Sequence, residues 1–198
     1  MRRCPPVPKP FHPAENRGYR ELYAFCRQLA EHWSALVEQL PPAARSPFER
    51  GARLGRQTLE ELEPLTANYG LHGGPAAQGV GKSVAGARSA VRDRFLETDR
   101  AARWALTELQ YTTTLLGFLR AVAESRDDDR LVEFCGKAER RFRRLEGEAR
   151  KAVVELGADP DLAVEPLDPS PVGRAAQSVT YAVGSVGEWF DRMAARRR

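Results

Sequence analysis

Glu108 is the carboxylate with the most unusual surroundings in the chain. Between Trp104 and Val122 the residues are apolar around most of a helix circumference, and only Arg103, Thr107, Gln110 and Thr114 mark a polar strip. At 100° per residue Glu108 falls opposite that strip, on an arc shared with Trp104, Tyr111, Thr112 and Leu115, so it is expected to point inward. A buried carboxylate without a partner costs several kcal/mol or stays protonated, so something must meet it. Two roles follow: a metal ligand or buried acid in a helical core, or a structural glutamate satisfied by a tyrosine, serine or arginine of a neighbouring helix. The second is the commoner arrangement. Glu21 and His32 flank one helical stripe on the same side, eleven residues apart. Glu61 flanks a second stripe, and Glu139 and Glu146 flank another, one heptad apart. Glu108, Glu61, Glu146 and Glu21 are the candidate metal ligands, and solvated charge at a stripe edge is the ordinary role of the flanking ones.

Ala76, Ala77, Gln78, Gly79, Val80, Gly81, Lys82 and Ser83 match the looser form of the phosphate-binding P-loop. In a working P-loop, backbone amides cradle phosphates, the lysine reaches the terminal phosphates and the serine binds magnesium. That chemistry needs a buried strand directly before the loop. Here the preceding residues, Asn68 to Pro75, include four glycines or prolines, and no later apolar run ends in a metal-binding aspartate. The segment therefore reads as a loop with Ser83 capping a helix, and no nucleotide cofactor is expected. Anion capture at that helix N-terminus is the one residual use. No serine–histidine or cysteine–histidine signature is present, and no catalytic residue is assigned.

The elements that position these groups are helical. Leu22, Phe25, Cys26, Leu29, Trp33, Leu36, Val37 and Leu40 share one arc, ended by Pro41 and Pro42. Ser46, Pro47 and Glu49 predict a capping box that opens a second helix with the stripe Leu54, Thr58, Leu62, Leu65 and Tyr69, kinked or ended at Pro64. From Ser83 a stripe keeps helical phase to about Glu124. As one helix it would be about 60 Å long, so a break with Thr98 or Asp99 as cap is equally expected. After the turn Arg126 to Asp129, Leu131, Cys135, Ala138, Phe142, Leu145, Ala149, Ala152, Val153 and Leu156 line a fourth helix closed by Gly157. Four prolines between Ala158 and Pro171 predict an extended connection. A last helix follows, with Val172, Ala176, Val179, Val183, Val186 and Phe190 in phase.

This order of two helices, a long glycine-bearing connection, two more helices and a short fifth resembles the ferritin-like four-helix bundle. The resemblance covers residues 16–157 as topology, and it implies that helices two and three run parallel across a crossover at 70–97. It also implies a di-iron site built from a glutamate on each of two helices and Glu-x-x-His on the other two. The histidines are His12, His32 and His72, and none stands three residues after a glutamate, so no family ligand transfers. The expected fold is all-α, a ferritin-like up-down bundle with a long crossover and a fifth C-terminal helix. Its parts are a proline-rich arm (1–15), the bundle (16–157), a proline-rich connection (158–171), and a C-terminal helix with an arginine tail (172–198).

Length and charge agree with that plan. The 198 residues and 22.1 kDa suit one domain, and the mean hydropathy of −0.51 with 29% charged residues excludes a membrane-embedded bundle. The net charge of +4 comes from 31 basic against 27 acidic residues. The excess is local, at Arg196 to Arg198 and at 137–151, which gives weak support to a nucleic-acid or membrane-surface partner. Three cysteines without Cys-x-x-Cys spacing argue against a disulfide framework or zinc knuckle and fit a reducing cytoplasm. Met1 to Pro13 holds five prolines and no apolar core of a signal peptide. From Val172 to Gly187 the only charge is Arg174, which predicts a helix packed on two sides, within the fold or against another subunit. The expected function is therefore non-enzymatic: binding, as a homo-oligomer or with a protein partner through the C-terminal helix. The alternatives are a carboxylate-bound di-metal protein, an iron-handling or oxidase type, and a membrane-surface or nucleic-acid-associated stress protein.

Overall fold

The computed structural model describes residues 10–73, 97–164 and 170, and every element of more than one residue among them is a helix, joined by turns and short irregular connections. Helix α1 spans Pro13–Gln39, α2 Pro42–Thr66 with a single 3₁₀ turn at Ala67–Tyr69, α3 Thr98–Glu124, α4 Asp129–Leu156 and the short α5 Pro160–Ala163. The P-loop-like stretch 76–83, most of the connection at 70–97 and the expected helix from Val172 lie outside the described residues.

Helix α1 starts with a reciprocal cap. The His12 Nδ1 accepts from the Ala14 N–H at 3.2 Å while Glu15 accepts from the His12 N–H at 3.1 Å. Pro13 takes the first helical position, so the helix reaches three residues into the expected proline-rich arm. The turn to α2 is only Leu40 and Pro41, tied by the Arg45 Nε donating to the Leu40 carbonyl at 2.7 Å. Ser46 does not open α2. The helix begins four residues earlier at Pro42, Pro47 sits buried within it, and the Ser46 hydroxyl accepts from Arg50 at 2.7 Å. A proline at the first turn forfeits only an N–H that has no helical partner, so Pro42 starts the helix as readily as Pro47 would. Pro64 likewise does not end α2, which continues to Thr66. Helix α3 begins at Thr98, but neither Thr98 nor Asp99 caps it: the cap position is Glu97, whose side chain makes no cap bond. At α4 the Asp128 side chain accepts from the Leu131 N–H at 3.2 Å, and Gly157 ends the helix as expected. The proline-rich connection departs from an extended form by folding α5, whose Ala163 is buried against α3 and α4.

Four seams hold the bundle: α1–α2, α2–α4, α4–α3 and α3–α1. Their cross-links fix directions. Arg50 meets Glu148 and Arg141 meets Glu61 between α2 and α4, Gln110 meets Glu146 and Arg120 meets Glu139 between α3 and α4, and Tyr111 meets Glu21 while Gln28 meets Glu108 between α1 and α3. In every pair the numbers rise on one helix as they fall on the other, so neighbours are antiparallel and α2 runs parallel to α3 on a diagonal. The centre is apolar, with Tyr19, Leu22, Trp33, Phe48, Leu109, Leu116 and Phe142 fully buried. Close approach is set by small residues. A Cβ on Gly51 would overlap the Trp33 ring, and one on Gly55 would lie 2.7 Å from the Cys26 carbonyl oxygen. No described helix is long and apolar enough to cross a membrane.

Candidate functional site

The α1–α3 seam carries the polar groups that the sequence singles out. Glu21, Phe25, Gln28 and His32 follow one another on α1 at spacings of four, three and four, which is one helix face. Trp104, Glu108, Tyr111, Leu115 and Phe118 do the same on α3. Because the helices are antiparallel, Glu108 lies opposite Gln28 and His32: the Gln28 Nε2 donates to Glu108 Oε1 at 2.6 Å, and the His32 Nδ1 stands 3.4 Å from Oε2. The His32 and Glu108 side chains are 17% and 18% exposed, so both look out from the edge of the core. Glu108 is therefore met as expected, but by an amide and an imidazole, not by a tyrosine, serine or arginine. Tyr111 turns instead to Glu21, donating its hydroxyl to Oε1 at 2.6 Å, and its ring packs tilted by 33° against Phe25 with centroids 4.7 Å apart. That hydrogen bond to a carboxylate, with some burial, raises the Tyr111 pKa above its usual value.

Trp104, Tyr111 and Phe118 do not share the inward arc. They are 45%, 46% and 48% exposed, and at heptad spacing they form one row along the outer edge of α3. The core positions of this helix go to Ala101, Ala102, Ala105, Leu109 and Leu116, small enough to let α1 and α4 close over them. Periodicity shows that the arc is apolar, but not which part of it meets a neighbour.

The other candidate ligands lie on different seams. Glu61, between α2 and α4, accepts from the Arg141 Nη1 at 2.8 Å with the Lys137 Nζ at 3.9 Å. Glu146, between α3 and α4, accepts from Arg150 and, at 3.1 Å, from Gln110, and these bonds hold its pKa below the ordinary carboxylate value. Glu139 is not a solvated edge charge. It is 5% exposed, salt-bridged to Arg120 at 2.9 Å and Arg143 at 2.6 Å, in space left by Gly117. Only Glu21 and Glu108 are brought to one seam. Among the described residues no group of three or more histidine, cysteine, aspartate or glutamate side chains converges as a metal set, so these residues do not fit the di-metal centre of a ferritin-like bundle.

A second polar cluster closes the end of the bundle where α1 starts and α3 stops. Glu15, fully buried, is ion-paired with Arg126, whose guanidinium lies over the rings of Phe11 at 5.6 Å and Tyr69 at 5.5 Å. Phe11 and Tyr69 are stacked at 4.2 Å, Tyr69 donates to Asp128, and the Tyr19 hydroxyl contacts the Cys135 sulfur at 3.7 Å. Burial pushes the Cys135 thiol up to about 12, and Cys26 likewise, so neither is an activated nucleophile. The readable signals for this cluster were the His12 to Glu15 capping spacing and the Asp127 to Asp129 turn. Its partners, 111 positions apart at Glu15 and Arg126, carry no local mark. No protein-family model, curated protein or solved structure matches the chain.

Proposed function

We propose that this protein works by association and not by catalysis, as a helical bundle of ferritin-like topology that assembles with copies of itself or with a protein partner through its C-terminal segment. The observation that carries this reading is the row Trp104, Tyr111 and Phe118, an apolar edge in water beside carboxylates that are already satisfied by neighbouring side chains. Large aromatics in an exposed row are typical of surfaces that are covered in the working molecule. The sequence from Val172 to Gly187, with Arg174 as its single charge, supports the same reading.

Light scattering across a range of concentrations tests the proposal. The full chain should show a mass above the 22.1 kDa monomer, and a chain ended before Pro171 should lose that mass or aggregate. A full chain that stays monomeric at every concentration, with two tightly held metal ions lost on Glu108→Ala, would establish the di-metal alternative instead.

A further inference from the structure

We infer that the outer face shared by α1 and α3 is where a second copy of this chain docks, antiparallel, about a two-fold axis that passes beside Tyr111. This rests on the reading that the protein works by association, and it commits that reading to one partner and to a face of the bundle itself.

Two rows of heptad spacing run side by side along this face. On α1 the row is Arg17, Ala24 and Glu31, all exposed, with Arg20 exposed one turn from Arg17. On α3 it is Trp104, Tyr111 and Phe118. Tyr111 is already bonded to Glu21 and packed on Phe25, yet close to half of its surface faces water, as does that of the other two rings. The Arg17 charge acts on the Tyr111 hydroxyl, which puts both rows on one surface.

Charge along the α1 row is segregated, basic at its start and acidic at its end. Arg17, Arg20 and Glu31 form no ion pair among the described residues. Arg20 and Arg17 precede Phe25 by five and eight positions and Glu31 follows it by six, so the two signs stand about 7.5–12 Å and about 9 Å to either side of it. The Phe25 ring packs on Tyr111, the midpoint of the α3 row. The charge pattern and the aromatic row thus share one centre.

A two-fold pair uses the same patch on both copies, and two orientations of the axis bring this face onto itself. With the axis along the helices, α1 lies on α3 of the second copy, and Arg17 is set against Phe118, because Gly18 is level with Leu119. With the axis across the helices, each helix lies antiparallel on its own counterpart. Glu31 then falls between Arg17 and Arg20 of the second copy, Trp104 meets Phe118 and Tyr111 meets Tyr111, while the small Ala24 beside the axis permits close approach. Charge complementarity selects this second orientation.

Exchanging the charges tests both the partner and its direction. The full chain should have the mass of a dimer in sedimentation equilibrium. Arg17→Glu with Arg20→Glu in one variant, and Glu31→Arg in another, each set like charges face to face and should raise the dimer Kd about tenfold or more. An equimolar mixture of the two variants should recover dimers, because both charge contacts of the mixed pair again join opposite signs. Phe118→Asp should weaken the dimer too, and circular dichroism should show the parent's helix content in every variant. Parent mass in all of these variants overturns the inference; if ending the chain before Pro171 then abolishes association, the C-terminal segment is the interface and the association reading stands. A mixture as weak as its components overturns the antiparallel pairing. A parent chain that is monomeric at every concentration overturns this inference and self-association together.

Discussion

Glu15 on the first turn of α1 is ion-paired with Arg126 in the turn after α3, and the carboxylate is completely shielded from water. The pair ties the start of the first helical hairpin to the turn of the second. Removing one member strands the other charge at a site built for two.

Glu15→Ala is therefore expected to destabilise the protein by about 3–5 kcal/mol. Urea unfolding followed by circular dichroism measures it, with the midpoint falling and the slope retained. A loss near that of an exposed pair, about 1 kcal/mol or less, would mean that water reaches the carboxylate after all.

Tyr69 predicts a limit at high pH. Burial, with the hydrogen bond and charge of Asp128, raises its pKa from 10.0 to about 12. A folded pKa above the unfolded value gives stability that is fully present below pH 10 and is lost as pH rises through about 12. Stability measured across that window should fall less steeply in Tyr69→Phe than in the parent. An unchanged alkaline slope would remove Tyr69 from the account.

The two buried thiols should be inert. With both raised to about 12, a Cys4→Ser variant at neutral pH should give no rapid reaction with a thiol reagent while folded, and full reaction of Cys26 and Cys135 once unfolded. Rapid labelling of the folded variant would show an opening that the packing does not predict.

Two glycines of similar helical setting should respond in opposite senses. Gly51→Ala drives a methyl into the Trp33 ring and is expected to cost about 1–3 kcal/mol. Gly147, on α4, has nothing within 4 Å of the added carbon, so Gly147→Ala should stabilise by about 0.5–1 kcal/mol. Thermal melts of both variants decide it, and a harmless Gly51→Ala would show that α1 and α2 can separate without penalty.

Stripes of apolar residues placed α1 and α4 in the sequence with little error, because each has one buried face and a charged back. The start of α2 at Pro42 differs from the Ser46 start that the sequence predicts, since Pro42 and Pro47 are both acceptable first-turn prolines and nothing local chooses between them. Within the site, Glu108 stood out as an inward carboxylate in an apolar stretch. Its partners Gln28 and His32 lie 80 and 76 positions away and become readable only once the antiparallel seam is known. Glu139 departs from the solvated stripe edge that its spacing predicts for a similar reason, because the space it occupies is created by Gly117 on another helix.

The antiparallel pairing of every neighbouring helix has a kinetic consequence. The seams α1–α2 and α3–α4 join segments close in sequence, so each hairpin can form quickly and independently, whereas α1–α3 and α2–α4 join residues 76 to 111 positions apart. Loop closure for such distant contacts precedes any reward from them, which makes the docking of two preformed hairpins the slow step. Glu15 and Arg126 belong to opposite hairpins, so their pair forms only after that barrier is crossed, and it slows unfolding more than it speeds folding.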